Sequence, residues 1–97
     1  MDFENILKEI KNIIRKYLSE NDFQLFLFGS WAKGRAHPTS DIDIAISGRK
    51  KIPWDIMVKI LREADEIPTL RSIDIVDLNT KGENYKKNIL EYAKIIS

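Results

Sequence analysis

Two aspartates two positions apart, Asp41 and Asp43, open the alternating stretch Asp41-Ile42-Asp43-Ile44-Ala45-Ile46-Ser47. Such alternation is the pattern of a β-strand, and residues i and i+2 of a strand project from one face. Both carboxylates therefore stand side by side while Ile42, Ile44 and Ile46 turn into a core. Like charges at that spacing repel, and aspartate is disfavoured in strands. A hard divalent cation removes the conflict, because Mg²⁺ takes carboxylate oxygens and keeps waters and positions for substrate phosphates. The plainer alternative is a solvent-facing strand edge, with Asp41 as a turn cap after Ser40.

Just upstream, Gly29-Ser30 ends an apolar run and precedes a short helical turn. Glycine lets a ligand approach the backbone, and the unpaired amides of a helical turn favour an anion such as phosphate. Ser30 adds a hydroxyl, or serves as an ordinary N-cap. Lys33 and Arg35, in the same loop, either pair with phosphate oxygens or are simply solvated. A third carboxylate, Asp74, lies between Ile73 and Ile75 in an apolar strand and would complete a two-metal site. Asp77, three positions on, points to the opposite face and reads as a turn or cap residue beside Asn79. Asp74 is the preferred ligand.

The elements that must position these groups follow from the hydropathy pattern. Phe3, Ile6, Leu7, Ile10, Ile13, Ile14, Tyr17 and Leu18 form a stripe of helical period. Phe23–Phe28 reads as a buried strand, Ser30–Lys33 as one helical turn closed by Gly34, and Asp41–Ser47 as a second strand. A helix starts near Pro53 and carries Ile56, Met57, Ile60, Leu61 and Ala64. Residues 72–78 form a third strand, and Tyr85, Ile89, Tyr92, Ala93 and Ile96 mark a final helix, both tyrosines being core positions. This order predicts an α/β fold, a small mixed sheet flanked by helices. The first two strands pair antiparallel across their short connection, and the third runs parallel after a helical crossover.

Length and composition set limits. Ninety-seven residues make a single domain, 1–97, with one core. There is no cysteine and one histidine, His37, which removes thiol chemistry, cysteine-based metal sites and histidine-rich ones. His37, beside Pro38, is expected in solvent. The net charge of +1 argues against a strongly electrostatic nucleic-acid or membrane partner, and Arg49-Lys50-Lys51 reads as a solvated turn. No apolar run approaches the ~20 residues that span a membrane. The start, Met-Asp-Phe-Glu-Asn-Ile-Leu-Lys, lacks the basic and apolar regions of a signal peptide, so a cytoplasmic location is expected. Trp31 and Trp54 are either partly buried or surfaces for a base or partner.

Gly29-Ser30, ten intervening residues and Asp41-x-Asp43, with the later Asp74 between apolar strand residues, resembles the signature of the DNA polymerase β-like nucleotidyltransferase superfamily. In length and element order the whole chain is similar to its minimal nucleotidyltransferases, which pair with a small helical protein of the HEPN type or of the nucleotidyltransferase substrate-binding type. The resemblance implies that Gly29 and Ser30 hold the triphosphate of ATP, with Lys33 a further phosphate contact. It implies that Asp41 and Asp43 ligate two Mg²⁺ ions and that Asp74 ligates the catalytic one.

The function implied is transfer of a nucleoside monophosphate, AMP from ATP, to a hydroxyl. The acceptor would be on the helical partner, within a heterotetramer and as the antitoxin of a toxin–antitoxin pair. So small a chain has no segment to spare for an acceptor, which favours another chain as the source of that surface, with Trp31 and Trp54 as candidate anchors. The alternative from another class is a non-catalytic module that neutralises or scaffolds its partner. Transfer to RNA is disfavoured by the near-neutral charge, and transfer to a free small molecule by the lack of a second lobe.

Overall fold

Four strands in the order β3-β2-β1-β4 form the sheet of the computed structural model, which describes residues 2–97. Helix α1 (Phe3–Tyr17) leads into β1 (Phe23–Phe28) and the single turn α2 (Gly29–Ala32). Strand β2 (Ile42–Gly48), helix α3 (Trp54–Asp65) and strand β3 (Ile73–Asp77) follow, then a 3-10 turn (Leu78–Thr80), α4 (Glu83–Tyr92) and β4 (Lys94–Ile95). β1 pairs antiparallel with β2, and β2 pairs parallel with β3 across the α3 crossover, as the connection lengths predict.

Each element follows from local chemistry. Asp2 caps α1, its side chain accepting from Asn5 N–H at 2.8 Å, while Glu4 in the first turn and Arg15 and Lys16 in the last complement the helix dipole. α1 buries Ile6, Ile10, Ile13 and Ile14. Its Lys16 and Tyr17 both reach Glu63 of α3, tying the two helices together.

The sheet is covered on both faces, which is why β1 is almost wholly apolar. Phe23, Leu25 and Leu27 of β1 join Ile42, Ile44 and Ile46 of β2 in the larger cluster beneath α1 and α3. Phe26, Phe28 and Ala45 face the other way, against Leu78 and Ile89. Burying each Ile or Leu contributes about 1.5–3 kcal/mol, so the three fully buried isoleucines of β2 fix its register as well as its stability.

Asp77 lies on the first of these faces and is buried. One carboxylate oxygen accepts from Ile52 N–H at 2.8 Å and the other from Asn79 N–H at 3.0 Å, capping the 3-10 turn and holding the connection into α3. The turn-and-cap reading of this residue describes it well.

The C-terminus departs from expectation. α4 stops at Tyr92 instead of running to Ile96, because Ala93 turns extended (φ −62°, ψ 148°) and Lys94–Ile95 pairs antiparallel with Phe26–Leu27. Ile96 N–H donates to Leu25 O at 2.9 Å, and Leu25 N–H donates to Ser97 O at 3.0 Å, so the outer edge of β1 gains partners that a longer helix would deny it. Tyr85 is exposed instead of core, since only the C-terminal half of α4, at Ile89 and Tyr92, rests on the sheet. β2 begins at Ile42, one residue later than the alternation suggested, with Asp41 just outside it. Among the described residues no helix is long and apolar enough to cross a membrane.

Candidate active site

The register of the sheet brings three chain segments to one end. Phe28 stands opposite Asp43 in the antiparallel pair, and Asp43 stands beside Asp74 in the parallel pair. The end of β1, with Gly29 immediately after it, and the starts of β2 and β3 therefore meet. By strand alternation Asp43 shares its face with Ala45, and Asp74 shares it with Val76. That is the face which α4 covers further along, and the two aspartates occupy its uncovered end. Asp43 is half-buried there; Asp74 and Asp41 are exposed.

Gly29 lies directly against the Asp43 side chain. Its φ is +71°, in the left-handed region that favours glycine. A Cβ built on it would overlap the Asp43 carboxylate, standing 3.0 Å from its Cγ. Two independent constraints thus require glycine: the backbone turns sharply from β1 into α2, and the turn presses against a carboxylate. The first amides of such a turn have no acceptor within it. That of Gly29 donates to the Tyr92 hydroxyl at 3.1 Å. Ser30 is half-buried in the turn and is not its N-cap; that position is Phe28, without a side-chain bond. Lys33 is exposed, its ammonium 4.6 Å from the centroid of the Tyr92 ring.

The loop from α2 to Asp41 is tied down rather than free. Trp31 stacks on Phe3 (centroids 3.8 Å apart, planes at 12°), and its indole N–H donates to Ser40 O at 3.2 Å, one residue before Asp41. Arg71, 5.6 Å from the Trp31 ring centroid, donates through Nε to Pro38 O. Trp31, half-buried, therefore has its ring and indole N–H engaged within the chain. Trp54, 74% exposed, is available as an interface anchor. His37 is exposed, as its sequence context predicts. Beside Asp74 a cavity of about 340 Å³ opens, lined among others by Asp65, Thr69, Arg71 and Ser72.

Electrostatically, Asp43 is the strained member. Burial first, then the negative charges of Asp74 and Asp41, and a hydrogen bond shared with Asp74, hold its carboxyl above the usual aspartate range. Among the described residues no group of three His, Cys, Asp or Glu side chains converges closely enough to hold an ion unaided. The donors present still suit Mg²⁺: carboxylate oxygens only, with a charge conflict centred on Asp43, and with outer positions left to water and phosphate.

A raised carboxyl pKa means that the folded chain binds a proton more tightly than the unfolded chain. Stability is then lost as pH rises through the folded pKa and regained below it. Asp43→Asn is expected to stabilise the metal-free protein at pH 7. After allowance for solvent screening the gain is below about 1 kcal/mol, or a few degrees of melting temperature. The gain should shrink as the pH falls towards the acid range of Asp43, which thermal melts at pH 7 and pH 4 would reveal.

The helical spacing places Tyr92 in the core but does not reveal its hydroxyl contact, which depends on α4 ending at Tyr92 just before β4 pairs with β1.

A family model described as polymerase beta nucleotidyltransferase matches residues 8–97. No curated protein matches. Among solved structures, a toxin–antitoxin complex with AMP-PNP superposes with a TM-score of 0.67 at 23% identity, over 93% of this chain and 71% of that one. A tri-AMPylated HEPN toxin from Shewanella oneidensis in complex with its MNT antitoxin gives 0.64 at 19%, over 97% and 71%. A proposed minimal nucleotidyltransferase gives 0.70 at 19%, over 97% and 95%. At these identities the likeness is one of fold.

Proposed function

The chain belongs to the polymerase beta nucleotidyltransferase family, and from that premise we propose that it transfers AMP from ATP to a hydroxyl on a small helical partner protein. In this reading it acts in the cytoplasm as the antitoxin of a toxin–antitoxin pair, and the two proteins form a heterotetramer. The observation that carries the reading is the alignment of Gly29, Asp43 and Asp74 across one sheet end. It sets a glycine turn on one side of a central carboxylate and a second carboxylate on the other.

Gly29 and Ser30 receive the triphosphate, with Lys33 placed to reach its oxygens. Asp41, Asp43 and Asp74 would hold Mg²⁺. When bound, the metal neutralises triphosphate charge and lowers the pKa of the acceptor hydroxyl. Asp74 orients that hydroxyl and takes its proton. The acceptor oxygen forms a bond to the α-phosphorus, the bond from that phosphorus to the α–β bridging oxygen breaks, and pyrophosphate leaves in line.

A protein partner is supported by the similar toxin–antitoxin complexes, one of them carrying an AMPylated toxin, and by the exposed Trp54. The near-neutral charge makes a nucleic-acid acceptor a poor fit.

The test is to incubate the chain with the protein encoded beside it, ATP and Mg²⁺, and to weigh both by intact mass spectrometry. The expected result is a gain of AMP on the neighbour that disappears with Asp41→Asn. Binding of the neighbour without any AMP gain would favour the non-catalytic module, and AMP transfer to a free small molecule would overturn the protein acceptor.

A further inference from the structure

Tyr92 closes α4, and a core position there needs only an apolar ring. Phenylalanine would fill nearly the same space. The hydroxyl has a separate use: it accepts from Gly29 N–H at 3.1 Å, joining residues 63 positions apart. That amide leads the α2 turn and must find its acceptor outside it. The Gly29 peptide is thereby held from two directions, with the Asp43 carboxylate against its Cα and Tyr92 on its N–H.

The other end of the same turn meets the same side chain. Lys33 is the C-cap of α2, and its ammonium lies 4.6 Å from the centroid of the Tyr92 ring, within cation–π range. The ring itself packs against both core clusters. A rigid part of the fold therefore grips both ends of a single helical turn through one tyrosine.

We propose that Tyr92 is a positioning residue for the triphosphate-binding turn. Its hydroxyl sets the direction of the Gly29 amide, and its ring seats the Lys33 ammonium beside the phosphates. The inference rests on the reading of Gly29-Ser30 as the triphosphate site. It assigns to the end of α4 a part in nucleotide affinity, with no part in the bond-making step.

Tyr92→Phe keeps the ring and removes only the acceptor. With the full chain, Mg–ATP titrated calorimetrically should bind three- to tenfold more weakly, the loss of about one hydrogen bond. The rate of AMP transfer to the partner at saturating ATP should stay within about twofold, on the same principle that ground-state binding alone is lost. A merely structural role would instead lower the melting temperature and leave the dissociation constant alone. Lys33→Met should weaken binding in the wild-type chain but add little in Tyr92→Leu, where the seat is gone. Should Tyr92→Leu not fold, the Phe variant decides. An unchanged dissociation constant in Tyr92→Phe, beside tight binding by wild type, overturns the positioning role alone. No Mg–ATP binding by wild type overturns the triphosphate reading and the inference with it.

Discussion

Replacing Asp74 with Asn is expected to lower nucleotidyl transfer by about 10³-fold, within the range lost with a positioned proton acceptor, while Mg–ATP binding stays within a few-fold of wild type. The asymmetry follows from the sheet. Asp74 enters from β3, on the far side of Asp43 from the Gly29 turn, so removing its charge affects the acceptor before it affects the triphosphate. Asp77→Asn is the matched comparison, three residues along the same strand. It should cost about 1–3 kcal/mol of stability, because the amide cannot accept from both Ile52 N–H and Asn79 N–H without turning an N–H donor toward one of them. Transfer by the fraction that remains folded should continue. Single-turnover rates with calorimetric binding and thermal melts would separate the two. A dead Asp77→Asn beside an active Asp74→Asn would place the reacting carboxylate on the other face of the sheet.

The second large effect is expected at Gly29. Gly29→Ala forces a side chain into the left-handed region, at a cost of about 1–3 kcal/mol, and drives its Cβ into the Asp43 carboxylate. Relief requires Asp43 to move, and a misplacement on the order of 1 Å in a reacting constellation costs about 10²-fold in rate. Gly34→Ala provides the control. Gly34 has the same φ of +71°, but nothing lies within 4 Å of its would-be Cβ. It should therefore show the backbone cost in a melt and keep its activity. Equal losses of activity in the two variants would mean that the contact with Asp43 has no bearing on the reaction.

Much of this architecture is legible in the sequence for a physical reason. The long amphipathic stripe of α1 and the alternation of β2 are local patterns, and the loop lengths dictate which strand pairs are antiparallel and which parallel. Asp43 and Asp74 stand out because each is a charge flanked by isoleucines, and Asp41 because it precedes Asp43 by two positions. The same logic distinguishes Asp77, whose neighbours offer it turn amides. What local pattern cannot reveal is pairing at a distance. Lys94 and Ile95 are too few to display a period, and Ile96 continues the helical spacing of Tyr92 and Ala93, so the strand they form is decided by the open edge of β1. Tyr85 and Tyr92 share a stripe, yet one is exposed and the other touches the site, because the sheet ends beneath the middle of α4. Trp31 is likewise an aromatic whose partners, Phe3 and Ser40, come from elsewhere in the chain.

The unequal sequence separations at the sheet end also order events in time. Phe28 and Asp43, paired across β1 and β2, are 15 residues apart, whereas Asp43 and Asp74 are 31 apart and joined only after α3 has crossed the sheet. Closing the shorter loop costs less chain entropy, and antiparallel neighbours form ahead of parallel ones that need a crossover. The entropy of chain closure therefore favours the Gly29–Asp43 pairing over the arrival of Asp74 beside it by about 0.6 kcal/mol. On the proposed function, the side assigned to the triphosphate is thus closed by the shorter loop, and the side assigned to the acceptor by the longer one.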